Sequence, residues 1–383
     1  MATRGAPSGP APRPHRNAVG QRRSSITTPA LILDLRVVRR NITAMANAMS
    51  GPTQLRPHAK SHKCAQVARM QIDSGAQGVT VATVWEAAAL ADAGIDDILV
   101  ANEVVGWEKV RAAAETAKRV RRLTVAVDDD RNAMELSAAA ASADTKIGVL
   151  IDIDTGMNRC GVRTSEDALN LADRLSRLPG LRLLGVMGYE GHCVLEKDRA
   201  VRAAKAAAAV GYVLGIVDRL IEADHTVEVV SAGGTGTWDM TGANPRITEI
   251  QAGSYVFMDT TREAIVPDFA CGLTVLTTVV SRQGTTLVLD GGRKTVGVEF
   301  TLPRIAGEAG ATATPRGAAE EHLLFDVTAD CPLKVGDRVE VIPGYCPTTV
   351  NLHDVYYVAE GDTIVDIWPV LARGAGQPAA KTD

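Results

Sequence analysis

The strongest constraint on this chain is an alternation. Between residue 28 and about residue 262, short runs rich in Val, Ile and Leu are separated by alanine-rich stretches of helical length, and the exchange repeats about eight times. ALILDL, GVTVAT, DILVAN, RLTVAVD, KIGVLIDID, RLLGVMGYEG, VEVVSAGG and ITEIQAG read as strands. Helices are expected over 38–49, 63–74, 84–93, 107–120, 131–142, 165–177 and 197–222. This is the pattern of parallel βα units rather than of a sandwich. It predicts an α/β fold, a (β/α)8 TIM barrel over 28–262, whose site is built at the carboxyl ends of the strands.

After about residue 265 the helices stop. LTVLTTVVSRQGTTLVLDGG, HLLFDVTA, DRVEVIPG and DVYYVAEGDTIVDIWPVLARG are strand-and-turn text with Gln-Gly and Gly-Asp turns, so a β domain is expected over 265–375. ALILDL, at 30–35, can pair into that domain rather than into the barrel. Residues 1–25 carry Arg4, Arg13, Arg16, Arg22 and Arg23, no acid, and many Pro, Gly and Ser, and read as a disordered tail. Residues 376–383 read as a second tail. No apolar segment of signal length follows Arg22-Arg23, and no run reaches the roughly 20 apolar residues of a membrane helix.

Composition narrows the partners. Forty-one Lys and Arg against 45 Asp and Glu leave a net charge of -4, with no cationic excess to neutralise a phosphate backbone. A small, anionic molecule fits better than nucleic acid, and no membrane partner is expected. The six cysteines are scattered singly, without a CxxC pair, and read as reduced thiols of a cytoplasmic protein.

Three segments carry chemistry. Arg56-Pro57-His58-Ala59-Lys60-Ser61-His62-Lys63 places two lysines and two histidines where an early barrel strand ends. It reads either as a solvated basic loop or as the seat of a cofactor-bearing lysine, since a lysine crowded by cations gives up its proton most readily. Ser231-Ala232-Gly233-Gly234-Thr235-Gly236-Thr237 follows the strand VEVV, and glycines there let backbone N–H groups approach a phosphate. Gln251-Ala252-Gly253-Ser254-Tyr255 follows the next strand and can complete the same cradle. A lysine at the barrel's start and a phosphate cradle on its late strands together suggest pyridoxal phosphate.

RPHAKSHK, GVTVATVWEAAALADAGIDDILVANEVVG, IDIDTGMNRCGV, GVMGYEGH, SAGGTGT, EIQAGSYVFMD and DIWPVLARG occur in one order from about Thr28 to Gly374. Taken together they resemble the fold-type III pyridoxal-phosphate enzymes of the D-threonine aldolase and D-serine dehydratase group, whose barrel is alanine-racemase-like. The resemblance implies that Lys60 forms the imine with the cofactor and that His58, His62 and Lys63 are its electrostatic setting. It implies that Arg159 contacts the phenolic oxygen, and that Ser231, Gly234, Thr235, Gly236, Gly253, Ser254 and Tyr255 hold the phosphate. Tyr189 and Gln251 fall where the family approaches the pyridine nitrogen. Neither carries the charge of an aspartate, so a weaker electron sink is expected. Gly291-Gly292-Arg293-Lys294 lacks the tyrosine that alanine racemases use as a second base, which disfavours racemisation.

One departure from the family stands in the β domain. Relatives bind a divalent metal through a His-x-Asp or His-x-Cys pair just before a segment like TTVNLHD, whereas this chain has Tyr345-Cys346-Pro347 there. Adjacent His353 and Asp354, expected on a strand, would face opposite ways and make no chelating pair. No metal site is therefore expected, and either Tyr345 or a histidine would handle the β-hydroxyl proton. The resemblance implies a lyase that cleaves or forms the Cα–Cβ bond of β-hydroxy-D-amino acids, releasing or accepting an aldehyde, with Lys60, His58 and Tyr345 as catalytic residues. Transaldolase, dehydratase and non-catalytic cofactor carrier are the alternatives, and a homodimer is the implied assembly.

Overall fold

The computed structural model describes residues 17–374. Its first strand, β1 (Ala30–Asp34), is followed by eight short parallel strands that lie side by side. They are β2 (Gln54–Leu55), β3 (Val79–Val81), β4 (Asp97–Glu103), β5 (Arg122–Val127), β6 (Ile147–Asp152), β7 (Leu181–Gly188), β8 (Val229–Ala232) and β9 (Glu249–Ile250). The order runs β2-β9-β8-β7-β6-β5-β4-β3. The two outer strands meet through a parallel bridge between His58 and Thr80 and through Thr80 N donating to Pro57 O at 2.9 Å, which closes the barrel. Leu99, Ala126, Leu150, Leu184 and Met187 cluster in a small core of their own.

Helices return the chain between strands, and they start where the sequence supplies an acceptor. Asp34, Thr83, Asp129, Thr164 and Asp198 each accept from backbone N–H groups two or three residues on, satisfying donors that a helix end otherwise leaves bare. The helix Arg199–Glu222 is long and apolar enough to cross a membrane by length and composition. It packs on β7 and buries Ala206, Val210, Val213, Val217 and Leu220. Buried Arg56 is bonded at 2.8 Å to both Asp97 and Glu249, tying the first residues of β4 and β9 together.

The second sheet comprises β10 (Leu273–Gln283), β11 (Thr286–Asp290), β12 (Arg304–Ile305), β13 (Ala313–Ala318), β14 (His322–Val327), β15 (Arg338–Ile342), β16 (Val355–Glu360) and β17 (Thr363–Pro369), joined by β1. Thus ALILDL, open above to either sheet, pairs antiparallel with β10 and parallel with β16. The barrel strand in its place is Gln54–Leu55, a two-residue strand with one exposed polar position, too short to show any periodicity. A second correction concerns residues 17–25, expected in a disordered tail. Gly20 N donates to Ile364 O at 2.8 Å and Ile364 N to Gln21 O at 2.9 Å, while Ala18 and Ile26 are buried with Ile32, Leu276 and Ile364. Arg22 pairs with Asp362, and Arg23 with Asp34 and Glu340. Residues 1–16 and 376–383, read above within tails, and residue 375, read within the β domain, lie outside the described residues.

Candidate active site

The seam that closes the barrel also presents the lysine. Past His58 the chain makes a single tight turn, Ala59–Ser61, capped by His58 Nδ1 accepting from Lys60 N at 3.4 Å. The β domain grips this turn from behind: Tyr356 donates its hydroxyl to His62 O, and Leu371 N donates to Lys63 O at 2.7 Å. Lys60 faces a cavity of about 280 Å³ at the carboxyl ends of the strands. Burial, then Arg159, lowers its ammonium to about 8, with Arg262 adding to the effect against Glu86.

The other members of the basic octapeptide go elsewhere. His62 is fully buried, accepts from Cys64 N at 3.1 Å and lies edge-on to Phe257, and burial lowers it to about 3. Lys63 is ion-paired with Glu86 and donates to Ala372 O at 3.0 Å. The expected electrostatic setting of Lys60 is therefore corrected: the nearby cations are Arg159 and Arg262, because His62 and Lys63 are turned toward the core and toward Glu86. His58 does line the cavity, and burial with Lys60 close by holds it well below the usual histidine range, so it is a neutral imidazole.

Of the remaining residues expected at the site, Arg159, Tyr189, Gly234, Thr235, Gly236, Gln251, Gly253, Ser254 and Tyr345 border the same cavity. Ser231 and Tyr255 do not line it. Ser231 Oγ accepts from Gln251 Nε2 at 2.8 Å, and the Tyr255 phenol turns into the core, where Gln71 Nε2 reaches it at 2.8 Å. Burial, with Glu190 next, raises the Tyr189 phenol to about 12, which keeps it neutral. Among the described residues, no Asp or Glu lines the cavity.

Sequence reasoning missed Glu190. It is fully buried behind the glycine loop and accepts from Gly233 N at 3.1 Å, from the Thr237 hydroxyl at 2.7 Å and from the Thr241 hydroxyl. A lone glutamate after a strand gives no pattern to read. It missed Arg262 as well, although Asp259 and Arg262, three residues apart in MDTTR, were a visible signal. Arg262 Nη1 donates to Asp259 Oδ2 at 2.8 Å, its Cζ lies 4.9 Å from the centre of the Tyr345 ring, and Phe300 meets the same ring edge-on at 4.9 Å. Asp259 also receives Cys346 N at 3.2 Å, and burial pushes its carboxyl up even beside the guanidinium.

The residues at the family's metal positions supply no ligand pair. Pro347 has no donor, and the intervening Cys346 gives its thiol to Met258 O at 2.7 Å, burial holding it well above the usual thiol range. His353 and Asp354 lie in the turn before β16 and not on a strand as expected; His353 Nε2 donates to Thr295 O at 2.8 Å and Asp354 pairs with Arg373. Beside the cavity, Glu103, Asp128 and Cys160 each place one ligand-capable atom within 4.8 Å of the others. Asp152 stands close by, its carboxyl raised by burial and by Glu103.

The cavity fits the cofactor that the motifs suggest. The Ser61 hydroxyl borders it, buried and without a hydrogen-bond partner among the described residues. Gly233 adopts a φ of +76°, and a Cβ on Gly236 would lie 2.1 Å from Val194 O. The loop thus has room only for backbone, which is what a phosphate held on N–H groups requires.

Comparisons with known proteins agree. Residues 33–261 match the alanine racemase N-terminal domain, and residues 272–359 match a putative serine dehydratase domain. The chain is 35% identical to D-threonine aldolase of Arthrobacter sp over 91% of its own length and 93% of the relative's. It is also 35% identical to 3-hydroxy-D-aspartate aldolase of Paracoccus denitrificans over 93% and 95%. The crystal structure of D-threonine aldolase from Filomicrobium marinum superposes with a TM-score of 0.90 at 34% identity, covering 93% of this chain and 98% of that one. A (β/α)8 barrel with an appended β domain and a lysine at its mouth defines a fold-type III pyridoxal-phosphate enzyme. Within that class the chain belongs to the D-threonine aldolase and D-serine dehydratase family.

Proposed function

We propose that this enzyme cleaves or forms the Cα–Cβ bond of β-hydroxy-D-amino acids and does so without the divalent metal of its relatives. The observation that carries this reading is the meeting, in one cavity, of Lys60, the glycine cradle and Tyr345, the last standing at a family ligand position. Pyridoxal phosphate, when bound, accepts the electron pair released as the Cα–Cβ bond breaks. Lys60 would hold it through an amine whose lowered pKa leaves a large neutral fraction near pH 8. Gly234, Thr235, Gly236, Gly253 and Ser254 would hold its phosphate, with Ser231 and Tyr255 supporting that wall from behind. Arg159 would meet its phenolic oxygen. Tyr189 and Gln251 would meet its ring as uncharged groups, which would leave a moderate electron sink suited to breaking one bond.

Tyr345 exchanges the β-hydroxyl proton, which leaves the substrate as the aldehyde carbonyl forms. His58 is the poorer candidate because its Nδ1 is engaged by the turn it caps; we assign it to positioning Lys60. The six unpaired thiols support a cytoplasmic setting, and family kinship supports a homodimer.

The test is a panel of D and L β-hydroxy amino acids, with and without chelator and acceptor aldehyde. The reading expects aldehyde release from D substrates that chelator leaves intact. Activity that collapses with chelator and returns with a divalent ion contradicts the metal-free reading. A visible spectrum unchanged by every amino acid would point to a cofactor carrier.

A further inference from the structure

Among the described residues three cations border the cavity, and the proposed reading occupies two of them. Lys60 holds the cofactor and Arg159 its phenolic oxygen. Arg262 remains. Its Nη1 is bound to Asp259, but its Nε and Nη2 make no hydrogen bond among the described residues, although the side chain borders the cavity and is only 11% exposed. Neither group is sealed in the wall, so both are open to a ligand that enters the cavity. Its planar fork matches a carboxylate in two-point geometry, and among the described residues no carboxylate stands on the cavity wall.

We infer that Arg262 receives a carboxylate of the amino acid substrate, and that its stacking on Tyr345 fixes that carboxylate relative to the phenol. Asp259 orients the fork from behind through Nη1, and the backbone N–H of Cys346 holds Asp259 in turn. Arg262 is thereby a specificity-determining residue. This inference rests on the aldolase reading only for the chemistry that follows binding. The carboxylate has two sources: the α-carboxylate of every amino acid, or a second one on the side chain of an acidic substrate.

The experiment titrates holoenzyme with D-alanine and with D-aspartate, neither of which carries a β-hydroxyl, and follows the visible cofactor spectrum in the native protein, Arg262→Lys and Arg262→Gln. Loss of the fork is expected to weaken binding about tenfold or more. Weakening for both ligands assigns Arg262 to the α-carboxylate, and weakening for D-aspartate alone assigns it to the side-chain carboxylate. If neither dissociation constant moves more than about twofold while the cofactor spectrum is kept, the inference is overturned. Should Arg262→Gln fail to hold cofactor, Arg262→Lys is judged by the same criterion, since it keeps a positive charge beside Asp259. Binding that depends on Arg262 in a protein that never releases aldehyde would sink the aldolase reading and leave this one standing.

Discussion

Lys60 and Lys63 are three positions apart in a basic run, and their fates differ because of what surrounds them. Lys63, at a φ of +46°, swings to Glu86 and keeps an ion-pair partner, whereas Lys60 is half-buried in a cavity that Arg159 and Arg262 also border. No spacing rule in the sequence separates the two; only the family resemblance singled out Lys60. A pH profile follows from the difference. The ammonium loses its proton as pH rises through about 8, and the neutral amine is the form that attacks an aldehyde. Imine formation from apoenzyme and pyridoxal phosphate, followed by absorbance, should therefore climb between pH 7 and 9 and level above; a profile still rising steeply beyond pH 10 would contradict the burial argument. Glu190 makes a second residue-scale prediction. In Glu190→Gln either Gly233 N–H faces an N–H₂ donor or the Thr237 and Thr241 hydroxyls lose their acceptor, costing about 1.5 kcal/mol or more, so cofactor affinity should fall about tenfold. Equilibrium titration of apoenzyme checks this, and unchanged affinity refutes the role. Glu190 was illegible beforehand because its importance lies in three partners that only the folded loop brings to it.

At the scale of elements, most helices were legible, since alanine-rich stretches bounded by Asp and Thr caps announce both their length and their starts. The failures were the shortest and the most ambiguous strands. β2 has two residues, and β1 is apolar at every early position, so its text suits either sheet. What assigns β1 is tertiary: β10 and β16 offer it an edge on each side. The glycine loop was legible as a cradle, but its tolerance was not. Gly236→Ala would put a methyl against the Val194 carbonyl, a contact that backbone must move to relieve. This variant should lose the visible cofactor band while retaining the far-ultraviolet circular dichroism of the barrel. A variant that keeps native cofactor affinity would show that the loop is looser than described.

For the molecule as a whole, the two sheets cooperate at the lysine turn, which is built by the barrel seam and held by Tyr356 and Leu371 of the β domain. Residues 17–25 pack against that domain through β17. They belong to a stretch, residues 1–25, whose arginines, prolines, glycines and serines and lack of acid suggest disorder, yet Ala18 and Ile26 complete a small core and Arg23 meets Asp34 and Glu340. Removing residues 1–26 exposes Ile32 and Leu276 and should lower Tm by several degrees, on the order of 2–4 °C per kcal/mol. An unchanged Tm would return the segment to the status of a tail.

The account depends most on which amine carries the cofactor. Holoenzyme reduced with borohydride and digested should yield one pyridoxyl-labelled peptide, with the label on Lys60. A label on Lys63 or any other lysine, or no label at all, would contradict the assignment of the site.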